Sequence, residues 1–183
     1  FGAISTHQNE EMFCTKIHTG LKKKYINGIT IIIPRHVHRV PTIKEDIEKF
    51  GLKVHLHSSE RKINNETDIY LVDTFGETKL FIKNCKIVFL GGSLISHGGQ
   101  NPLEAARLGC KVIHGPNIDN FLEIYRLLNK NNISSKIRNI NQAKSIIEKN
   151  LSSKFSSKKI IKKLNFIGNE VLLNNQKEIN KYI

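Results

Sequence analysis

The chain has no run of about 18 or more apolar residues, so no segment of it reads as a membrane-spanning helix. No secretory leader is visible, yet the chain starts at Phe1 rather than Met, and Phe1–Ile4 already reads as a core strand. The expectation is a piece of a longer protein, with any leader lying upstream. Its three cysteines, Cys14, Cys85 and Cys110, are odd in number and far apart, which gives neither a disulfide framework nor a zinc spacing and favours a reducing compartment. No Lys-Ser/Thr ending follows its glycine-rich loop, and the glycines do not form G-x-G-x-x-G, which disfavours an NTPase or a dinucleotide oxidoreductase. No carboxylate or histidine set has metal-ligand spacing, so no metal is expected. Internal repeats and long linkers are missing too, and 183 residues suit a single core.

Acidic residues are scarce: 16 Asp and Glu face 29 Lys and Arg, for a formal net charge of +13. The 48 residues from Lys136 to Ile183 carry 11 of the basic residues and 3 of the acidic ones. Such a balance suits an anionic membrane surface, but solvated lysine faces explain it as well. Nucleic acid is not expected as a partner, because no aromatic residues are interleaved with the basic ones at stacking spacing.

What the chain does have is a regular alternation of apolar strands and amphipathic helices. Strands are expected at Phe1–Ile4, Ile29–Ile33, Leu52–His57, Asp68–Val72, Lys86–Leu90 and Cys110–His114, with Ser135–Ile140 at an edge. Helices are expected at Glu10–Tyr25, Thr42–Phe50, Glu77–Asn84, Pro102–Leu108 and Asp119–Asn129, and from Asn141 onward the pattern is helical and lysine-rich. Ile29–Ile33 is wholly apolar and β-branched, as a strand buried on both faces requires. The fold class is therefore α/β, a doubly wound parallel sheet, and ligands of such sheets bind outside the carboxyl ends of the strands.

Polar motifs fall at those ends. Ser5-Thr6-His7 follows the first strand; its hydroxyls can cap the next helix or, with His7, face a charged ligand. Pro34-Arg35-His36-Val37-His38-Arg39 is a compact positive cluster, and arginine suits bidentate phosphate or carboxylate binding. Asp73-Thr74-Phe75-Gly76-Glu77 reads either as a capping box between Thr74 and Glu77 or as a turn contacting a base or phosphate. Gly91, Gly92, Gly98 and Gly99 lead to a helix with Asn101 as cap, Pro102 at its first position and Glu104 in its first turn. That loop suits an anion, and its acidic residue suits ribose hydroxyls. In the last loop, Gly115 to Asn120, Asn117 or Asp119 is the expected cap.

Taken together, Ser-Thr-His-x-x-Glu-Glu, Pro-Arg-His-x-x-Arg, Asp-Thr-x-Gly-Glu, Gly-Gly-Ser-Leu and Asn-Pro-Leu-Glu, joined by Gly115-Pro116 and Asn120-Phe121, resemble one family. It is the C-terminal, donor-binding domain of the 3-deoxy-D-manno-oct-2-ulosonic acid (Kdo) transferases of lipopolysaccharide biosynthesis. The resemblance covers Phe1 to about Ile147. It implies a Rossmann-like domain, the C-terminal half of a GT-B glycosyltransferase, with residues 1–140 binding the nucleotide sugar and residues 141–183 forming packing helices. It implies transfer of Kdo from CMP-Kdo to a lipid A precursor, with release of CMP, at the cytoplasmic face of the bacterial inner membrane. It implies CMP contacts at Pro34, Arg35, Phe75, Gly76, Glu77, Asn101, Pro102, Leu103 and Glu104, with Ser5, Thr6, His7, Gly92 and Ser93 as further donor contacts and no cofactor. The acceptor site, membrane anchor and general base are expected in an N-terminal domain outside this chain, so no catalytic residue is expected within it, and these 183 residues alone should bind CMP weakly and not transfer Kdo. Gln100, Ala105, Val37, His38 and Thr78 depart from the family's usual residues, beside the expected contacts rather than on them. Another GT-B glycosyltransferase, a UDP-sugar epimerase or a non-catalytic nucleotide-binding module remain alternatives.

Overall fold

The computed structural model describes residues 1–152 and 156–182. Seven strands form one all-parallel sheet: β1 (Gly2–Thr6), β2 (Thr30–Pro34), β3 (Val54–Leu56), β4 (Ile69–Leu71), β5 (Ile87–Leu90), β6 (Lys111–His114) and β7 (Ser134–Lys136). The helices are α1 (Glu10–Lys22), α2 (Val40–Glu48), α3 (Thr78–Lys83), α4 (Leu103–Arg107), α5 (Leu122–Lys130), α6 (Ile140–Ser152) and α7 (Ser157–Ile179). Single 3-10 turns at Val37–Arg39 and Asp119–Phe121 lead into α2 and α5.

Each central strand is apolar on both faces because helices cover both. Ala3, Ile32, Phe89 and Ile113 point into a core shared with α1, α2 and α6. Their neighbours Ile4, Ile33, Val88, Leu90 and Val112 point the other way, into a core with Ile82 of α3, Ala105 of α4 and Tyr125 of α5. This is the period-2 alternation of a strand with no solvent-facing side. A smaller cluster of Ala106, Leu128, Ile133 and Ile160 seats the start of α7. Beyond it Phe166, Val171, Leu172, Leu173 and Ile179 are exposed. The three cysteines are buried free thiols.

The strand order is β3-β4-β2-β1-β5-β6-β7. From β1 the chain builds outward on one side through β2 to the edge strand β3, returns to β4 between β2 and β3, then crosses by α3 to β5 on the other. Outside the carboxyl ends of β1 and β5 the order reverses, and that is where doubly wound sheets hold ligands. Several elements differ from the sequence reading. Helix α2 starts two residues earlier than expected, with Pro41 in its first turn, where its missing N–H costs nothing. The last strand stops at Lys136; Ile137 is buried but off the sheet, and Ile140 opens α6. The expected helix from Asp119 is a 3-10 turn whose last residue, Phe121, has an extended φ of −138° before α5 begins. The stretch 141–183 includes residues 153–155 and Ile183, which lie outside the described residues.

Candidate functional site

Because all seven strands are parallel, the polar loops leave the sheet on one rim, and close backbone approaches interlock them. A Cβ on Gly91 would lie 2.1 Å from the Ser5 carbonyl oxygen, and one on Gly115 would lie 2.1 Å from that of Ser93. The Arg35 N–H donates to the Thr6 carbonyl at 2.9 Å, and the Asn120 side chain donates to the His97 carbonyl at 3.1 Å. Ser5 has a left-handed φ of 53°, where the pairing of β1 with β2 shifts register.

A cavity of about 350 Å³ opens at the reversal of strand order, within the usual range for small-ligand pockets. Ile4 and Ser5 of β1 and Leu90 of β5 form its floor; Thr78 and Ile82 of α3 form one side, and Gln100, Asn101, Glu104 and Ala105 the other. Lys79 approaches Glu104 at 3.5 Å across the two helix starts, both groups well exposed. Phe75 stands 78% exposed on the loop before α3. The next residue, Gly76, has φ 90° and open space where a Cβ would sit. Glu77 is braced from the β3 end: its carboxylate accepts from the Thr74 hydroxyl at 2.9 Å and pairs with His57 Nε2 at 2.9 Å, and these two bonds hold its carboxyl below the usual value.

The glycine-rich loop holds an anion, but an internal one. The Glu10 carboxylate, 1% exposed, accepts from the backbone N–H groups of Gly92 at 2.7 Å, Ser93 at 3.1 Å and Leu94 at 2.9 Å, and from that of His7 at 2.9 Å. This corrects the expectation that Gly92 and Ser93 contact a donor. Their N–H groups are taken, and the buried Ser93 hydroxyl donates to the Leu90 carbonyl while accepting from the Gly115 N–H. The adjacent Glu11 is equally buried and binds both terminal nitrogens of Arg39, at 2.9 and 3.1 Å. Of the two arginines after β2, then, Arg39 is committed, whereas Arg35 is exposed and has no carboxylate partner among the described residues.

No protein-family model matches the chain. It is 32% identical over 174 residues to a 3-deoxy-D-manno-octulosonic acid transferase of Haemophilus influenzae, which covers 95% of this chain and 40% of that protein. It is 33% identical over 157 residues to a transferase of the same name from Rickettsia typhi, covering 84% of this chain and 34% of the relative. The C-terminal CMP-Kdo binding domain of WaaA from Acinetobacter baumannii superposes with a TM-score of 0.80 at 26% identity, over 87% of this chain and 83% of that one. This chain is a homologue of the Kdo transferases. It spans about 40% or less of the length of these curated relatives.

In this Kdo transferase homologue the motif residues fall into two adjoining groups. Asn101 and Glu104 face Ser5 across the cavity, and the Phe75–Glu77 loop leads into its α3 side. Arg35 lies past Ser5, beside Thr6, with Pro34 buried behind it. Pro102 is buried and Leu103 half-buried, so they shape the turn rather than present polar groups. Helix α4 begins at Leu103, one residue later than expected, so Pro102 is its N-cap; the Asn101 Oδ1 lies one residue further out and accepts from the Leu103 N–H at 2.9 Å. That bond, and the five-residue length of α4, leave fewer free donors for an anion than the sequence suggests.

The other expected caps are not made. Ser5 and Thr6 do not cap α1, whose N-cap is Asn9 in a left-handed conformation. Thr74 bonds the Glu77 side chain instead of a backbone N–H, and neither Asn117 nor Asp119 caps α5. His7 is buried against the His97 ring at 4.4 Å and the His36 ring at 5.8 Å. Burial first, then His97, His36, Arg39 and Arg35, hold its pKa down to about 4, so it is neutral at pH 7. No group of three His, Cys, Asp or Glu side chains among the described residues is arranged to hold a metal ion.

Proposed function

We propose that this chain is the donor-binding part of a Kdo transferase, taking CMP-Kdo in the cavity outside β1 and β5 and releasing CMP as Kdo passes to a lipid A precursor. The observation that supports this most is an exposed carboxylate, Glu104, lining the cavity at the reversal of strand order, with an uncommitted guanidinium, Arg35, directly after the neighbouring strand β2. In this reading Glu104 accepts from ribose hydroxyls. Phe75 stacks on the base, since it is the exposed aromatic beside the cavity. Arg35 pairs with the CMP phosphate and stabilises the charge that grows there as Kdo departs. Lys79 adds a second cation at the mouth. A group that deprotonates the acceptor hydroxyl belongs to the other part of the transferase.

Calorimetry tests the reading. CMP should bind in preference to UDP, and Arg35→Ala and Glu104→Ala should each weaken CMP at least tenfold. Tighter binding of UDP would point to another nucleotide-sugar enzyme. Unchanged CMP affinity in both variants would remove the cavity as the site.

A further inference from the structure

The edge strand β3 contributes no residue to the cavity, yet the residue that follows it is tied to the cavity's edge. Three strand spacings separate β3 from β1, roughly 14 Å, so a side chain at the end of β3 does not reach a ligand held outside β1 and β5. His57 stands there, its backbone N–H donating to the Leu71 carbonyl at 2.9 Å. Both of its ring nitrogens are in use: Nδ1 lies 2.7 Å from the Tyr70 hydroxyl and Nε2 lies 2.9 Å from Glu77 Oε2. A carboxylate only accepts, so Nε2 carries the proton, and Nδ1 of the neutral ring accepts from the Tyr70 O–H. Burial first, then Asp73 and Glu77, hold the Tyr70 hydroxyl above its ordinary value, which keeps it a donor. Packing fixes the ring as well: Phe81 of α3 meets it edge to face at 5.0 Å, and the Tyr70 ring lies at 5.8 Å.

The other end of this run of bonds is the loop between β4 and α3. Glu77 Oε2 also accepts from the Thr74 hydroxyl, and Ser58, the neighbour of His57, donates its N–H and its hydroxyl to the Asp73 carboxylate. The turn that presents Phe75 is therefore held from the β3 end at both of its feet, Asp73 and Glu77. Its tip has no such support. Gly76 has open space where a Cβ would sit, and Phe75 is 78% exposed. The direction of the Phe75 ring then depends on the two feet. Glu77 is turned toward β3, whereas Glu104 lines the cavity itself.

On the CMP reading above, which this deepens, we infer that His57, backed by Tyr70, is a positioning residue for the nucleotide: it fixes Glu77, and through Glu77 the turn that carries Phe75, without touching the ligand. The gain is preorganisation. A stacking ring already held in place costs less to order when the base arrives. Glu77 serves as a strut in this arrangement, and its removal should resemble the removal of His57.

The test is calorimetry with CMP on the whole chain and on two variants. His57→Phe keeps a ring against Phe81 and removes both nitrogens; His57→Gln keeps one donor and one acceptor. His57→Phe should weaken CMP about fivefold, the cost of ordering a freed side chain on binding, and His57→Gln should return the affinity to within about twofold of the wild-type chain. In a Phe75→Ala background His57→Phe should cost nothing further, because the ring it positions is gone. A purely structural role predicts the same loss of CMP affinity with and without Phe75, or a lower melting temperature with CMP affinity intact. Either result overturns the positioning role, as does a His57→Gln chain no better than His57→Phe. The nucleotide reading survives those results if Arg35→Ala and Glu104→Ala still weaken CMP. A wild-type chain that does not bind CMP overturns both.

Discussion

Glu10→Gln removes half of the acceptor set that pins the glycine-rich loop, and its cost follows from the geometry. The carboxylate takes four backbone N–H groups, from His7, Gly92, Ser93 and Leu94, at 2.7 to 3.1 Å in a site with no solvent. A glutamine amide keeps one oxygen and turns an NH₂ group toward two of those donors. Net hydrogen bonds to charged groups are worth about 1.5–3 kcal/mol each, and a buried donor left unpaired costs about 1–3 kcal/mol. Such terms overlap within one network, so the expected loss is about 3 kcal/mol. Glu10→Ala loses all four bonds and opens a void, and about 4–5 kcal/mol is expected, at the upper end of single substitutions. Urea unfolding measures this directly: with a slope of about 2 kcal/mol per molar, Glu10→Gln should lower the midpoint by about 1.5 M. Amide exchange at Gly92, Ser93 and Leu94 should accelerate with it, because those donors lose their acceptor. A midpoint shift below about 0.3 M for Glu10→Gln, with exchange at the three amides unchanged, would show that the carboxylate does not hold the loop.

Two further outcomes are expected. Gly91→Ala places a methyl group 2.1 Å from the Ser5 carbonyl oxygen, so β1 and β5 must separate at the rim and the loss should exceed about 3 kcal/mol. Gly76→Ala meets open space and only the strain of φ 90°, about 1–2 kcal/mol; equal losses in thermal melts would remove close approach as the reason for Gly91. The second outcome concerns acid. Burial holds His114 down to about 4 from an ordinary 6.5, and His7 likewise. Between those values the unfolded chain binds protons that the folded chain refuses, so stability is constant above pH 6.5 and falls as pH drops toward 4. His114 alone accounts for on the order of 3 kcal/mol of that fall. Urea midpoints from pH 7 to 4.5 should decline on this curve and His114→Phe should flatten it; a level profile for the wild-type chain would contradict neutral burial of both rings.

The sheet and its rim were legible because they follow from periodicity. Ile31, Ile32 and Ile33 have no polar alternation, so the strand had to be covered on both faces, and a covered parallel sheet sends its polar loops to one end. The strand order was not legible, since nothing in Leu52–His57 says that β3 lands outside β4 rather than beside β2. Glu10 was legible as part of a motif but not in its role. A glutamate in a first helical turn ordinarily serves the helix dipole, and its partner loop lies 82 residues away. The left-handed Ser5 carries no composition signal, because neither glycine nor asparagine, the usual marks of such a backbone, stands there; at Asn9 asparagine is a weak one. Arg35 was already set apart as the ligand contact; what the sequence did not show is that Arg39, in the same positive cluster, is committed to the buried Glu11 on α1.

In the proposed reading CMP lies outside β1 and β5, between the starts of α3 and α4. A ¹H–¹⁵N NMR titration of the chain with CMP tests it most directly. CMP bound there should give saturable shifts at the amides of Ser5, Arg35, Gly76, Asn101 and Glu104, with the β3 edge and the outer half of α7 unmoved. Shifts confined to those outlying regions, or none at millimolar CMP, would contradict it.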